Sequence, residues 1–129
     1  LDSKENFFLT DEAAEWIGLK KSELLSELIN QLTGDDFGFE EFHKFDHLIT
    51  QTIEFPDRIF ADTSEDFEQR TYIRTYKQDI QIHQLVIGAI VKDQTKNDVF
   101  VPVLCFVTKK EDLALKWSKG KLLSKQVLN

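Results

Sequence analysis

The hydrophobic period of this chain changes once, near residue 67, from the spacing of helices to the alternation of strands. Few constraints on a fold are stronger, because a period of 3.6 buries one stripe of a helix whereas a period of two buries one face of a sheet. On the helical side, Thr10 or Asp11 can cap a helix over residues 12–17, with Gly18 as its stop. A second helix is predicted from about Ser22, because Leu24, Leu25, Leu28, Ile29 and Leu32 share one helical face. Thr33-Gly34-Asp35-Asp36 ends it with turn chemistry. A third helix is predicted over residues 40–53, with Phe42, Phe45, Leu48, Ile49 and Ile53 as its apolar stripe. Phe55-Pro56-Asp57 breaks it, and residues 61–66 read as an acidic loop.

On the other side, Tyr72, Arg74 and Tyr76 alternate with Thr71, Ile73 and Thr75, which predicts a strand over residues 69–78. Residues 82–92, dense in Val and Ile, predict a longer strand covered on both faces near its centre. Residues 99–108 predict a third, and connections this short favour an antiparallel meander. Pro102 requires that the third strand lie at an edge or carry a bulge. The tail is amphipathic but mixed, with a helical turn at residues 113–117 and an interruption at Gly120 before residues 121–127. Helices first and strands after give an α+β class: about three N-terminal helices packed on an antiparallel sheet of at least three strands.

Charge follows the same division. Residues 1–66 hold 17 Asp and Glu against 5 Lys and Arg, and residues 67–129 hold 6 against 11. The chain at −7 overall is thus an acidic helical half joined to a basic strand half. The field a ligand meets is local, so the total does not exclude nucleic acid. It equally suits two halves held together by charge. The 129 residues, 41% hydrophobic with 11 Phe, most simply make one domain with a real core. No apolar run reaches the roughly 18–20 residues of a membrane span. There is no signal-peptide pattern, so the reading is cytoplasmic, or secreted without a visible signal. A lone cysteine, Cys105, sits among apolar neighbours and reads as an inert buried thiol, with a reducing compartment as the default.

Several constellations carry chemistry. Residues 10–28 outline a helix-turn-helix, but Glu23 and Glu27 would face phosphate badly, and Lys20 and Lys21 would need the C-terminal lysines beside them. His43 and His47 stand four apart, a metal-compatible spacing that no third ligand completes, so no metal is expected. Arg70, Tyr72, Arg74 and Tyr76 project from one strand face, offering guanidinium forks for phosphate and rings for base stacking. Lys109 and Lys119 add charge near the end of the third strand. Cleavage of RNA by its own 2′-hydroxyl needs a base, an acid and cations at the transition state. His83 or His43, Tyr72 or Tyr76, and Arg70 or Arg74 could supply them; an exposed sheet face paired to acidic helices is the plainer reading. With no phosphate-cradling glycine loop and five Gly in all, no nucleotide cofactor is expected.

The order of pieces resembles the barnase–EndoU–colicin–RelE group of nuclease folds, and more closely its phage- and polymorphic-toxin-associated branch. The resemblance rests on LITQTIEFPDRIF, a helix ending in Pro-Asp, then RTYIRTYK, LVIGAIVK, VPVLCFVTKK and a late KGKLL, over residues 18–123. It implies a bacterial or phage-linked, metal-independent ribonuclease acting on RNA. Arg74 then matches the family's basic position, and Thr108, or less well Cys105, its hydroxyl position. A histidine that the family carries between its helices is missing from INQLTGDDF. His43, His47 or His83 would take that part, or the member is non-catalytic. The runner-up is an acidic protein-interaction module, immunity- or antitoxin-like, whose helical half binds a basic protein partner.

Overall fold

The structure, a computed structural model, describes residues 9–125. Helix α1 (Asp11–Gln31) is capped by Thr10, whose hydroxyl accepts the Ala13 N–H at 3.1 Å. It runs straight through Gly18, where two helices were expected. Ala13, Lys20, Leu24 and Leu28 are buried along it, and Ile17 packs between them. Steps of three and four residues thus form one stripe across the supposed break. An interior glycine costs about 1 kcal/mol, and burying a leucine contributes about 2 kcal/mol, so Leu24 and Leu28 outweigh it. With the corner gone, the helix-turn-helix reading falls.

A 3₁₀ helix (Phe39–Leu48) then leads into α2 (Ile49–Glu54), where one α-helix was expected. Phe39, Phe42, Phe45 and Leu48 recur every three residues, which is the 3₁₀ period. Phe42 packs edge-on to Phe39 at 5.7 Å and tilts onto Phe106 at 6.0 Å, while Phe45 meets Phe37 at 5.0 Å. In such a helix residues four apart lie about 120° apart, so His43 and His47 do not share a face. Among the described residues no group of His, Cys, Asp and Glu could hold a metal.

Strands β1 (Arg58–Asp62), β2 (Glu68–Lys77), β3 (Gln81–Lys92) and β4 (Asp98–Thr108) form an antiparallel meander. After α3 (Glu111–Lys116) the chain returns as β5 (Lys121–Lys125) beside β1, giving the sheet order β4-β3-β2-β1-β5. The class is α+β as expected, with two corrections. The α-helices are not all N-terminal, since α3 follows the meander, and the sheet gains β1 and β5 at positions read as loop and tail. The part of the tail beyond residue 125 lies outside the described residues. Pro102 meets both its requirements: β4 is an edge strand, and its register shifts opposite Gly88.

Alternation sorts the sheet into two faces. Ile73, Leu85, Ile87, Leu104 and Phe106 meet Leu24 and Leu28 of α1 and Leu113, Ala114 and Trp117 at α3. Phe106 lies edge-on to Trp117 at 5.3 Å. The opposite face carries Arg70, Tyr72, Arg74 and Tyr76. It is covered at one end by α2, where Thr52 Oγ1 lies 3.0 Å from the Tyr76 hydroxyl. No described helix is long and apolar enough to cross a membrane.

Candidate active site

One end of the helix-covered face is polar in every strand of the meander. Thr108 of β4 pairs in register with His83 of β3, and His83 with Thr75 of β2. Asp57 and Arg58, at the start of β1, continue the row: Asp57 accepts the Thr75 N–H at 2.8 Å. Glu111, the first residue of α3, lies over its middle. His83 is held between Thr75, whose Oγ1 is 2.8 Å from Nδ1, and Glu111, whose Oε1 is 3.4 Å from Nε2. The other Glu111 oxygen accepts from Arg58 Nη1 at 3.2 Å.

His83 is 2% exposed, whereas the Glu111 side chain is 52% exposed. Burial holds the imidazole below its ordinary pKa of 6.5, outweighing the Glu111 carboxylate, which pulls the other way; Arg58 lowers it further. The ring is therefore neutral at pH 7, and its contact with Glu111 is not an ion pair there. A proton on Nε2, facing the carboxylate, leaves Nδ1 to accept from the Thr75 hydroxyl. Glu111 is the member of this set most open to solvent, held by His83 and Arg58.

The loop after α1 closes one end of the row. Asp36 accepts from the Thr108 hydroxyl and, at 2.9 Å, from the Lys109 N–H. Thr108 in turn accepts the Lys110 N–H at 3.0 Å. Next to it Lys110 Nζ is 2.9 Å from both Asp35 and Thr33. The Asp35 carboxyl, stabilised first by the Thr33 hydroxyl and then by Lys110, titrates at about 2.

Of the residues singled out by sequence, His83 and Thr108 stand side by side, and Lys109 follows, its ammonium 5.1 Å over the Phe37 ring. Arg74 does not join them. It lies on the opposite face, donating to the Phe55 carbonyl and resting 5.4 Å over the Tyr76 ring. Arg70 on that face pairs with Glu68 at 2.6 Å. Tyr72 is buried against Phe100, with centroids 4.8 Å apart, and Tyr76 is tied to Thr52 and the Leu48 carbonyl. These rings are packed rather than offered for stacking. His43 is exposed on the 3₁₀ helix, in a groove with Lys21, Phe39 and Cys105. Lys119 is exposed; Lys20 lowers the Glu23 carboxyl and Ser64 the Asp62 carboxyl, Lys119 adding a smaller pull on each, and Asp62 is at the other end of β1 from Arg58.

Sequence reasoning missed Asp36, Asp57, Arg58, Thr75 and Glu111. Thr75 was recoverable, because alternation sets it opposite Arg74 and the short β2–β3 turn brings it to His83. Asp57 was read as part of a helix-ending Pro-Asp element and Arg58 was given no role, and nothing local signals that Glu111 returns to them. Comparison with family models, with curated proteins and with solved structures finds no match.

Proposed function

We propose that this chain is a metal-independent ribonuclease of the barnase-like type, with its chemistry at Glu111, His83 and Arg58. One observation carries the reading: a half-exposed carboxylate bridges a buried neutral histidine and an arginine, 3.4 and 3.2 Å away. Glu111 takes the proton of the RNA 2′-hydroxyl as that oxygen attacks phosphorus. The P–O2′ bond forms, the P–O5′ bond breaks, and the 5′-oxygen leaves with a proton from water. Arg58 and the nearby Lys109 stabilise the charge that gathers on the phosphorane-like transition state. Thr108, at the family's hydroxyl position, takes a holding part instead of contacting substrate, since its hydroxyl is bound to Asp36. The order of elements supports the same reading, a Pro-Asp helix end followed by an antiparallel meander.

The acidic-module reading is less favoured, because several of the acidic side chains it would use are already engaged within the fold. Asp35 and Asp36 serve Lys110 and Thr108, Glu41 caps the 3₁₀ helix, and Glu65 pairs with Lys20 at 2.7 Å.

The test is cleavage of a mixed labelled RNA pool in EDTA, with folding checked by circular dichroism. The parent should cut; Glu111→Gln and Arg58→Ala should lose about a hundredfold or more; Arg74→Ala should keep its rate. Loss confined to Arg74→Ala would move the site to the opposite face. A folded parent that cuts no RNA would refute the reading and favour a protein partner.

A further inference from the structure

An open groove of about 630 Å³ lies between α1 and the 3₁₀ helix, with residues 103–105 of β4 as its floor. The chemistry above does not use it. Its walls are apolar: Leu25 lines it from α1, and Phe39 and Phe42 line it from the 3₁₀ helix. Phe39 is 50% exposed, and Ile29, one helical turn beyond Leu25, is 56% exposed. Large apolar side chains left in water and rimmed by charge mark a surface that another molecule covers. The floor strand β4 is also an edge of the sheet, and proteins cover or blunt such edges. Both features call for a protein surface as the occupant.

Charge decides which protein. Lys21 stands on the α1 wall, whereas Glu40 and Asp46, with His43, stand on the 3₁₀ wall. Lys21, Glu40 and Asp46 have no ion-pair partner among the described residues. Lys21 and Asp46 also share one level of the groove. Burial is the main cause that raises the Cys105 thiol; Asp46 adds to that rise and Lys21 opposes it. Both charges are therefore near the same point of the floor, on facing walls. A partner of uniform charge would be attracted by one wall and repelled by the other. The groove's own image suits both walls. A two-fold axis along the groove lays α1 of each copy on the 3₁₀ helix of the other, and every contact then occurs twice.

We propose that this groove is the interface of a two-fold homodimer, in which Phe39 packs on the partner's Leu25 and Ile29, and Lys21 pairs with the partner's Asp46. The inference is independent of the ribonuclease reading. The two charged side chains suit a test because both are exposed, so reversing either one leaves the core untouched.

Sedimentation velocity of the full chain, from about 1 to about 200 µM, should show a monomer–dimer equilibrium in the micromolar range. Lys21→Glu and Asp46→Lys should each weaken it by about tenfold or more, because like charges then face each other twice. An equimolar mixture of the two variants should recover the dimer, since each reversed charge then meets its opposite. Circular dichroism confirms that each variant is folded. A parent that stays monomeric at the highest concentration overturns the proposal and leaves the groove to a different protein. A dimer that survives both reversals unchanged places the interface elsewhere. Two folded, monomeric variants whose mixture forms no dimer overturn the pairing of α1 with the 3₁₀ helix.

Discussion

Replacing Asp36 by alanine tests whether the polar row is held together as described. Its carboxylate accepts from the buried Thr108 hydroxyl, from the Lys109 N–H at 2.9 Å and from the Phe37 N–H at 2.8 Å. The Phe37 bond is local, and water replaces it at little cost. The other two bridge more than seventy residues of chain, and hydrogen bonds to a charged acceptor are worth about 1.5–3 kcal/mol each. Asp36 is only partly buried, so the lower end of that range applies. Thr108, at 0% exposed, would keep a hydroxyl proton with no acceptor. Together these give a loss of about 3 kcal/mol for Asp36→Ala. With a urea dependence of about 1.5 kcal/mol per molar, the unfolding midpoint should fall by about 2 M. Asp36→Asn keeps one oxygen and should lose about half as much. Thr108→Val, combined with Asp36→Ala, should be non-additive by about 1 kcal/mol or more. A midpoint for Asp36→Ala within about 0.3 M of the parent, or an additive cycle, would refute the reasoning: the loop would then be tethered elsewhere.

His83 links stability to pH. Its folded pKa lies below the unfolded 6.5, so in that window the unfolded chain binds more protons and stability falls as pH drops. Between pH 7.5 and 5, His83→Gln should lose stability less steeply than the parent; equal slopes would remove His83 as the cause. Gly88→Ala should cost about 2–3 kcal/mol in the same assay, because its Cβ would lie 2.3 Å from the Val101 carbonyl and 2.6 Å from the Phe100 ring. An unchanged midpoint would mean that β4 can shift freely at its bulge. Burial pushes the Cys105 thiol up to about 11. At pH 8 a disulfide reagent should modify it roughly a hundredfold more slowly in the native chain than in urea, and equal rates would show an open thiol.

The elements most legible in the sequence were those whose pattern and burial agree. The β2, β3 and β4 strands emerged within a residue or two because Tyr72–Tyr76 alternate and residues 85–91 form an apolar run. Gly18 misled because local propensity is a weak preference, and the Leu24–Leu28 stripe overrides it. The 3₁₀ helix was legible but misread: Phe39, Phe42, Phe45 and Leu48 fit a period of three better than 3.6. The β1 and β5 strands were hidden for another reason. Arg58–Asp62 and Lys121–Lys125 are short and charged at their ends; β1 is held between β2 and β5, and β5 pairs with β1 alone. Gly120 permits that pairing, at φ +92° with a virtual Cβ only 1.9 Å from the Ala61 carbonyl. Such long-range pairing leaves no local trace. The same limit applies to the site. Parity alone puts Arg74 and Thr75 on opposite faces, so a set joining Arg74 with His83 was testable from the sequence once His83 was paired to Thr75.

The opposite charges of the two halves have a different use from the one their sums suggest. Lys110 reaches back to Asp35, and Glu111 reaches back to Arg58 and His83. Arg70 is bound to Glu68, and Lys92 to Asp98 at 2.8 Å. Lys20, 6% exposed on α1, binds Glu23 and Glu65 together and lies 5.3 Å over Trp16. Most of these pairs join residues of the same half and so leave its net charge as it was, and partly exposed pairs of this kind contribute little each. Their effect is positional: they fix the loop after α1 and the first turn of α3 against the ends of β1 and β3. Both elements border the polar row. Lys109 and Lys116 have no ion-pair partner among the described residues, whereas Arg58 is already bound to Glu111. A ligand that reached this end would meet two lysines, one arginine and the Glu111 carboxylate, a small local field too weak to hold a long stretch of duplex.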